Sequence, residues 1–275
     1  MTRATLAEVL QPALRQGYAV PGLVTLGWED MCAHVAAAEA EGRAVILQAG
    51  PGCRAHTPLP VLGAMFTHLA EQAGVPVVAH LDHGYSAEEC RQAIDCGFTS
   101  VMYDGSRKPL QQNIDETAAI ADMAHAAGLS CEGEIGFVGY AEGAASAGTD
   151  PAEAARFATQ TGVDAMAISV GNLHLQQQAG QGLDEPRLRA IEAVTDLPLV
   201  IHGGSGVPRD QRRRLARTSA ICKYNIGTEL RMTFGKTLRQ TLKDNPQTFD
   251  RNDILKQTIN PIKQQTINIL KQIGP

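Results

Sequence analysis

Three short apolar stretches of the chain end in a histidine that could bind a metal. The first is Val77–Gly84 (VVAHLDHG), in which a run of small and β-branched residues stops at Asp82 and His83. The second, AMAISVGNLH, ends at His174, and the third, LPLVIHGGSG, carries His202. Three neutral imidazoles that leave a fourth position open are typical of a catalytic zinc site. The pattern therefore predicts one metal held at three strand ends, with the Asp82 carboxylate beside it to move a proton.

Two glycine-rich turns indicate phosphate binding. They follow the predicted seventh and eighth strands and contain His202-Gly203-Gly204-Ser205-Gly206 and Asn225-Ile226-Gly227-Thr228. Glycine-rich turns and helix N-termini offer backbone N–H groups to phosphate, and barrel enzymes often bind phosphate between these two loops. Such a site beside a metal suggests a phosphorylated hydroxyketone, cleaved by a retro-aldol reaction in which the metal stabilises developing charge.

Two other charged residues could take part in this chemistry. Glu134 could be an additional metal ligand or could hold a ligating imidazole, and the alternative is a barrel-core carboxylate paired with a lysine. Lys223 lies in the predicted eighth strand, but its neighbours do not by themselves argue for an imine.

Eight apolar runs alternate with helical patterns and set the expected fold. Strands are predicted to begin near residues 18, 44, 76, 98, 129, 164, 198 and 220. Regular alternation of this kind implies parallel strands, and eight of them close into a (β/α)8 TIM barrel. An open doubly wound sheet would usually carry a GxGxxG turn after its first strand, and this chain has none there. We expect one barrel domain over residues 1–275, with 245–275 as a helical C-terminal extension that packs on the barrel flank or on another subunit.

Composition limits the partners and the compartment. The net charge of -5 leaves no overall basic field for nucleic acid or anionic lipid, and no apolar run is long enough to span a membrane. The basic cluster at 209–217 is predicted to be the solvated face of a helix. Six cysteines lack a CxxC pair and no signal peptide precedes them, which predicts reduced thiols in the cytoplasm.

The motifs together resemble the class II, zinc-dependent fructose-bisphosphate aldolases, in the short branch that includes tagatose-bisphosphate aldolases. The matching pieces, in order, are HLDHG (80–84), SVMYDGS (100–106), EGEIG (132–136), GNLH (171–174), HGGSG (202–206) and YNIGTELR (224–231). The resemblance covers about residues 18 to 240 and implies an aldolase of carbohydrate metabolism, such as glycolysis, that uses a ketose phosphate.

The resemblance also implies roles for individual residues. Asp82 would be the catalytic proton donor, Glu142 would help proton transfer at the ketone fragment, and Glu134 could approach the metal in an alternate position. The zinc ligands would be His83, His174 and His202. Dihydroxyacetone phosphate would be bound by Gly203, Gly204, Ser205, Asn225, Ile226, Gly227 and Thr228. Family members form dimers or tetramers and can bind a second, often monovalent, cation.

The chain departs from the family pattern in the expected pocket. Leu175 stands directly after His174, where relatives usually carry a substrate-approaching glycine, and a lysine common shortly afterwards is missing. The first-strand segment is GLVTLGW (22–28) instead of an asparagine-rich one. Arg54 and Arg107 could meet an anionic group at the aldehyde end or could be solvated. These departures keep three alternatives open: an aldolase with a non-standard aldehyde partner, a zinc-dependent hydrolase, and a barrel that has lost turnover.

Overall fold

Eight parallel strands form a closed barrel in the computed structural model, which describes residues 2–275. Met1, included in the predicted domain 1–275, lies outside the described residues. Each strand pairs with the next along the chain, and β8 pairs with β1, so that Gly22 faces both Ile46 and Asn225. The strands are β1 Val20–Val24, β2 Val45–Ala49, β3 Val77–Gly84, β4 Ser100–Tyr103, β5 Ser130–Ile135, β6 Ala165–Ile168, β7 Leu199–Ile201 and β8 Ile221–Ile226. The predicted TIM barrel is confirmed.

Helices on the outside bury the apolar outer faces of the strands. Side-chain caps start several of them: Thr5 accepts from the Glu8 N–H at the start of α1, and Asp150 accepts from two N–H groups at the start of α7. The helices are α1 Leu6–Gln16, α2 Trp28–Glu41, α3 Pro51–His56, α4 Leu59–Gln72, α5 Ala87–Asp95, α6 Leu110–Ala126, α7 Pro151–Thr161, α8 Glu185–Glu192, α9 Arg209–Thr218, α10 Thr228–Asp244 and α11 Arg251–Ile273. Among the described residues, no helix is long and apolar enough to cross a membrane.

The last helix packs on the flank of this barrel, the first of the two predicted positions. His34 of α2 is fully buried, and its Nδ1 lies 2.9 Å from the Thr266 hydroxyl of α11. Arg43 donates to the Leu270 carbonyl from the loop after α2. The terminal extension therefore packs against α2 and also contacts β1.

The basic cluster after Pro208 is not wholly solvated. Arg212 of α9 is buried and pairs with Glu229 at 2.8 Å, and its Nε donates to Gln272 at 2.8 Å. The prediction of a solvated face is wrong for this residue, because α11 closes over the side of α9 that carries it. Sequence periodicity could not show that α11 would supply an amide and that α10 would supply a carboxylate.

Candidate active site

The carboxyl ends of β3, β6 and β7 bring three imidazoles together. The ring centroids of His83 and His202 lie 4.7 Å apart, and that of His174 lies 5.8 Å from the first and 5.6 Å from the second. One nitrogen from each ring lies within 4.8 Å of the other two. The predicted cluster of histidines therefore exists at one end of the barrel.

An irregular end of β3 turns two consecutive side chains toward this cluster. His83 has a φ of 113°, rare for a residue with a Cβ, and the pairing of β3 with β4 shifts register between Leu81 and Gly84. A regular strand would point Asp82 and His83 to opposite faces. Here Oδ1 of Asp82 lies 3.8 Å from Nε2 of His83, so the irregularity places acid and imidazole in one site.

Asp104 orients the His83 ring. Its Oδ2 lies 3.1 Å from Nδ1 of His83, and its other oxygen accepts from the Ser106 hydroxyl at 2.6 Å. Nε2 of His83 is thereby left free for a metal. Burial disfavours the imidazolium form, but the carboxylates of Asp82, Asp104 and Glu134 outweigh it and raise the pKa of His83 to about 9. A metal binding here would displace a proton.

Two buried polar atoms without partners face each other beside this ring. Nδ1 of His202 and Oε2 of Glu134 lie 3.4 Å apart, and neither has a hydrogen-bond partner in the described structure. Buried polar groups are rarely left unpaired, so these two atoms are candidate ligands for a cation. Nitrogen and carboxylate donors fit a divalent metal such as zinc.

Glu134 belongs to a second group of potential ligands and not to a lysine pair. Its carboxylate lies close to a ring nitrogen of His83 and to the Asp104 carboxylate, and these three groups could also hold a cation. Burial holds the pKa of Glu134 well above its usual value, which favours its neutral form until a cation is near. The alternative prediction, that Glu134 is a core carboxylate paired with a lysine, is wrong, because Lys223 pairs with Glu132 at 2.7 Å.

Asp82 lies at the cavity wall with little solvent contact. It is 7% exposed, and its Oδ1 accepts from the Asn225 amide of β8 at 3.1 Å. Burial would raise its pKa, but the neighbouring His83 and His202 and the buried Lys223 outweigh burial and lower the pKa. An ionised carboxylate held off the metal ligands can accept a proton.

The turns after β7 and β8 are joined to each other. The Ser205 hydroxyl accepts from the Gly227 and Glu229 N–H groups at 3.3 and 3.4 Å. Gly203 has a φ of 64°, and a Cβ there would lie 2.0 Å from the Leu173 carbonyl oxygen, so a side chain would not fit. Backbone N–H groups at this turn and at the start of α10 are placed to receive an anion.

A cavity of about 260 Å³ lies above these elements. Its wall includes most predicted site residues: Asp82, His83, His174, Leu175, Gly203, Ser205, Asn225, Gly227 and Thr228. Gly204 and Ile226 are buried beneath the wall, because the first packs on Tyr224 and the second is fully enclosed. Both can act on a ligand only through the turns that they support.

Comparison with known proteins agrees with this geometry. The family model described as Fructose-bisphosphate aldolase class-II matches residues 4–275. The chain belongs to the class II fructose-bisphosphate aldolase family. It is a class II aldolase, which is a carbon–carbon lyase. The match does not support the alternative of a zinc-dependent hydrolase.

Aldolases with different named substrates are similar to this class II aldolase. It is 34% identical to the 6-phospho-5-dehydro-2-deoxy-D-gluconate aldolase of Bacillus subtilis (strain 168), over 100% of this chain and 96% of the relative. It is 35% identical to the fructose-bisphosphate aldolase of Geobacillus stearothermophilus, over 100% of this chain and 98% of that one. The crystal structure of the YdjI aldolase from Escherichia coli K12 superposes with a TM-score of 0.86 at 28% identity, covering 99% of this chain and 97% of that one.

One of the two predicted rim arginines has a structural role. The guanidinium of Arg54 in this aldolase donates to the Asp82 carbonyl at 2.6 Å, the His83 carbonyl at 2.8 Å and the Ala49 carbonyl at 2.7 Å, and pairs with Glu89 at 2.9 Å. It is therefore neither solvated nor free for substrate. It braces the irregular end of β3, a role that no local sequence pattern announces.

The predicted acid Glu142 lies away from the cavity wall. It is exposed on the loop at 137–148, and its proton-transfer role stays a prediction. The same loop supplies Tyr140, whose ring stacks on His174 with centroids 5.0 Å apart. Arg107 lies over the Phe137 ring at 4.4 Å from its centroid. Sequence reasoning missed Tyr140, for which the glycine-rich loop after β5 is the only signal.

Leu175 and Arg231 complete the wall of the cavity. Leu175 has a φ of 60° and is 52% exposed, so the backbone keeps a left-handed conformation that glycine would adopt without strain. Arg231 is the one lysine or arginine on the cavity wall among residues 2–275, and within that part of the chain its guanidinium has no hydrogen-bond or ion-pair partner. Its position in the first turns of α10, just after the NIGT turn, was a signal that sequence reasoning passed over.

Proposed function

We propose that the protein cleaves a ketose phosphate into dihydroxyacetone phosphate and an aldehyde, and catalyses the reverse condensation, at a zinc site. The zinc would be held by His83, His174 and His202, with Glu134 as an alternate ligand. The observation that carries the proposal is the unpartnered Nδ1 of His202, which faces Glu134 within the histidine cluster and beside Asp82.

The phosphate end of the substrate would lie on the turns after β7 and β8. Backbone N–H groups near Gly203 and Thr228 and the Ser205 hydroxyl are the available donors. With the phosphate there, the sugar chain extends across the cavity toward the end of β3. This orientation brings the bond to be broken beside Asp82.

Asp82 would act as base in cleavage and as acid in condensation. It takes the proton of the hydroxyl on the aldehyde-forming carbon, the carbon–carbon bond breaks, and the ketone fragment receives the electron pair. A bound zinc supplies Lewis-acid polarisation of the ketone oxygen. Asn225 holds Asp82 in place through its amide, and a second acid must return a proton to the ketone fragment. Glu142 is the predicted donor for that step.

Arg231 would bind an anionic group at the aldehyde end. Its free guanidinium faces the cavity, and Arg54, the other expected cation, is occupied by carbonyl groups. The names of the two relatives support this, because one substrate is a phosphorylated gluconate and the other a bisphosphate. Each therefore carries a second anionic group besides one phosphate.

The test is a coupled assay of dihydroxyacetone phosphate with zinc-loaded protein. Substrates would be fructose 1,6-bisphosphate, tagatose 1,6-bisphosphate, 6-phospho-5-dehydro-2-deoxy-D-gluconate and fructose 1-phosphate. We expect Arg231→Gln to lower kcat/KM by about 10- to 100-fold for the substrates with a second anion, since charge-assisted hydrogen bonds are lost, and to leave fructose 1-phosphate unaffected.

Arg107→Gln is the matched control, because it removes a rim arginine that does not line the cavity. Release of inorganic phosphate without dihydroxyacetone phosphate from every substrate would refute the proposed reaction. An equal loss of kcat/KM for all substrates in Arg231→Gln would refute the proposed role of Arg231 but would leave the proposed reaction intact.

Three further features belong to the same proposal. The group of His83, Asp104 and Glu134 supports a second cation, divalent or monovalent, near the zinc. We infer a cytoplasmic enzyme, which the six free cysteines support. A homodimer or homotetramer and a single domain over 1–275 stay predictions, to be checked by light scattering and by limited proteolysis.

A further inference from the structure

A buried ion pair lies directly beneath the proposed metal site. Lys223 of β8 and Glu132 of β5 are both fully buried, and Nζ of the lysine lies 2.7 Å from Oε2 of the glutamate. Buried charges are retained only where they are paired and hydrogen-bonded. The proposed reaction makes no direct use of either residue, so the pair needs another explanation.

Each atom of this pair has a fixed donor or acceptor role. A lysine ammonium only donates, so Nε2 of His80, at 3.2 Å from Nζ, must accept. Nδ1 of His80 then carries the ring proton and donates to the Ser100 hydroxyl at 2.9 Å. Lys223 thus donates to both neighbours, to Nε2 of His80 and to Oε2 of Glu132.

The same reasoning fixes the His202 ring. An ionised carboxylate only accepts, and Oε1 of Glu132 lies 3.2 Å from Nε2 of His202. Nε2 must therefore carry the ring proton. Nδ1 keeps its lone pair, and this is the unpartnered atom that faces Glu134 among the candidate ligands.

We infer that Lys223 and Glu132 are positioning residues that set the tautomer of His202, so that Nδ1 is presented to the metal. Lys223 acts through Glu132, and Glu132 acts through the imidazole, so neither touches substrate or metal. Removing such a partner of a metal-bound histidine typically lowers metal affinity by about 10- to 100-fold. The inference rests on the proposed zinc site.

The arrangement also explains why this lysine is not a nucleophile. Nζ of Lys223 lies inside the barrel, below His202 and against Glu132, and it does not reach the cavity wall. An imine would require the amine to leave both partners and to rise past the metal ligands. The buried lysine therefore serves the metal site through its charge.

The tautomer can be measured on the metal-free protein by long-range ¹H–¹⁵N NMR of ¹⁵N-histidine-labelled material. The His202 signal is assigned by its absence in His202→Gln. At mildly alkaline pH we expect the ring proton of His202 on Nε2. A proton on Nδ1 would overturn the inference, and this readout needs no variant of the network to fold.

Two network variants and one control then test the effect on the metal. Glu132→Gln and Lys223→Met should each weaken zinc binding by about 10- to 100-fold in chelator competition, with a mixed tautomer at His202. Phe66→Ala removes a buried ring that packs on Phe98, away from the network, and should lower stability while leaving zinc affinity and tautomer unchanged. Wild-type affinity in both network variants would overturn the inference. Failure of the wild type to bind zinc at all would instead refute the proposed function.

Discussion

His34 makes the stability of the protein sensitive to mild acid. Its ring is buried between α2 and α11, and Nε2 has no partner in the described structure. Burial lowers the pKa of His34 from 6.5 to about 4. Between these two values the unfolded chain holds a proton that the folded chain does not hold. Stability is therefore lost as the pH falls from 6.5 to about 4, and it is fully present above 6.5.

The magnitude follows from the size of the shift. At about 1.4 kcal/mol per pKa unit, the 2.5-unit difference removes about 3 kcal/mol of unfolding free energy by pH 4, and about 2 kcal/mol by pH 5. His34→Gln cannot be protonated and does not contribute this loss. The assay is urea unfolding of both proteins across this pH range at constant ionic strength.

Other groups titrate in the same range, so the informative quantity is the difference between the two proteins. We expect the wild type to lose about 3 kcal/mol more than His34→Gln between neutral pH and pH 4. Parallel curves for the two proteins would refute the reasoning. Thr266→Val provides a second comparison, because it removes the hydroxyl beside Nδ1 and should cost about 1 kcal/mol already at neutral pH.

Three other predictions concern the site. Arg54→Met removes the donor to the buried Asp82 and His83 carbonyls at the end of β3. We therefore expect the free energy of unfolding in urea to fall by about 2–4 kcal/mol and zinc to bind more weakly. Unchanged zinc affinity would exclude a role of Arg54 in holding the end of β3. Leu175→Gly relieves about 1 kcal/mol of strain from the left-handed backbone, but the greater conformational entropy of glycine in the unfolded chain costs a similar amount. The free energy of unfolding should therefore change little, while KM for the ketose phosphate falls. A raised KM would contradict this. Chelation of the metal should lower Tm, because free metal at about 1,000 times its Kd adds about 4 kcal/mol to the free energy of unfolding. An unchanged Tm would exclude a structural contribution from the metal.

The barrel and its strand ends could be predicted because they depend on local patterns. Alternation of apolar runs with helical periods sets eight strands, and the polar residues after them mark the active end. For this reason the sequence predicts that His83, His174 and His202 lie near one another, and the structure brings their rings together. His83 lies at the end of β3, whereas His174 and His202 follow β6 and β7, and barrel closure brings these three strand ends to one side.

Contacts between distant elements could not be predicted in the same way. Arg54 looked like a rim cation, but carbonyls of β2 and β3 surround it once α3 packs there. Arg212 looked solvated until α11 covered it. The pairing of Lys223 with Glu132 across the barrel interior depends on strand register and on the volume of the side chains between them. Such contacts depend on the folded structure as a whole and cannot be recognised in the sequence around either residue.

At the end of β3, the proposed function assigns metal binding to His83 and proton transfer to Asp82, and the other two metal ligands follow β6 and β7. Zinc content and release of dihydroxyacetone phosphate should be measured on Asp82→Ala and His202→Ala beside the wild type. We expect Asp82→Ala to keep its zinc while cleavage falls by at least about 100-fold, and His202→Ala to lose zinc and activity together. Loss of zinc from Asp82→Ala, or stoichiometric zinc in His202→Ala, would contradict the assignment of one residue to the proton and the other to the metal.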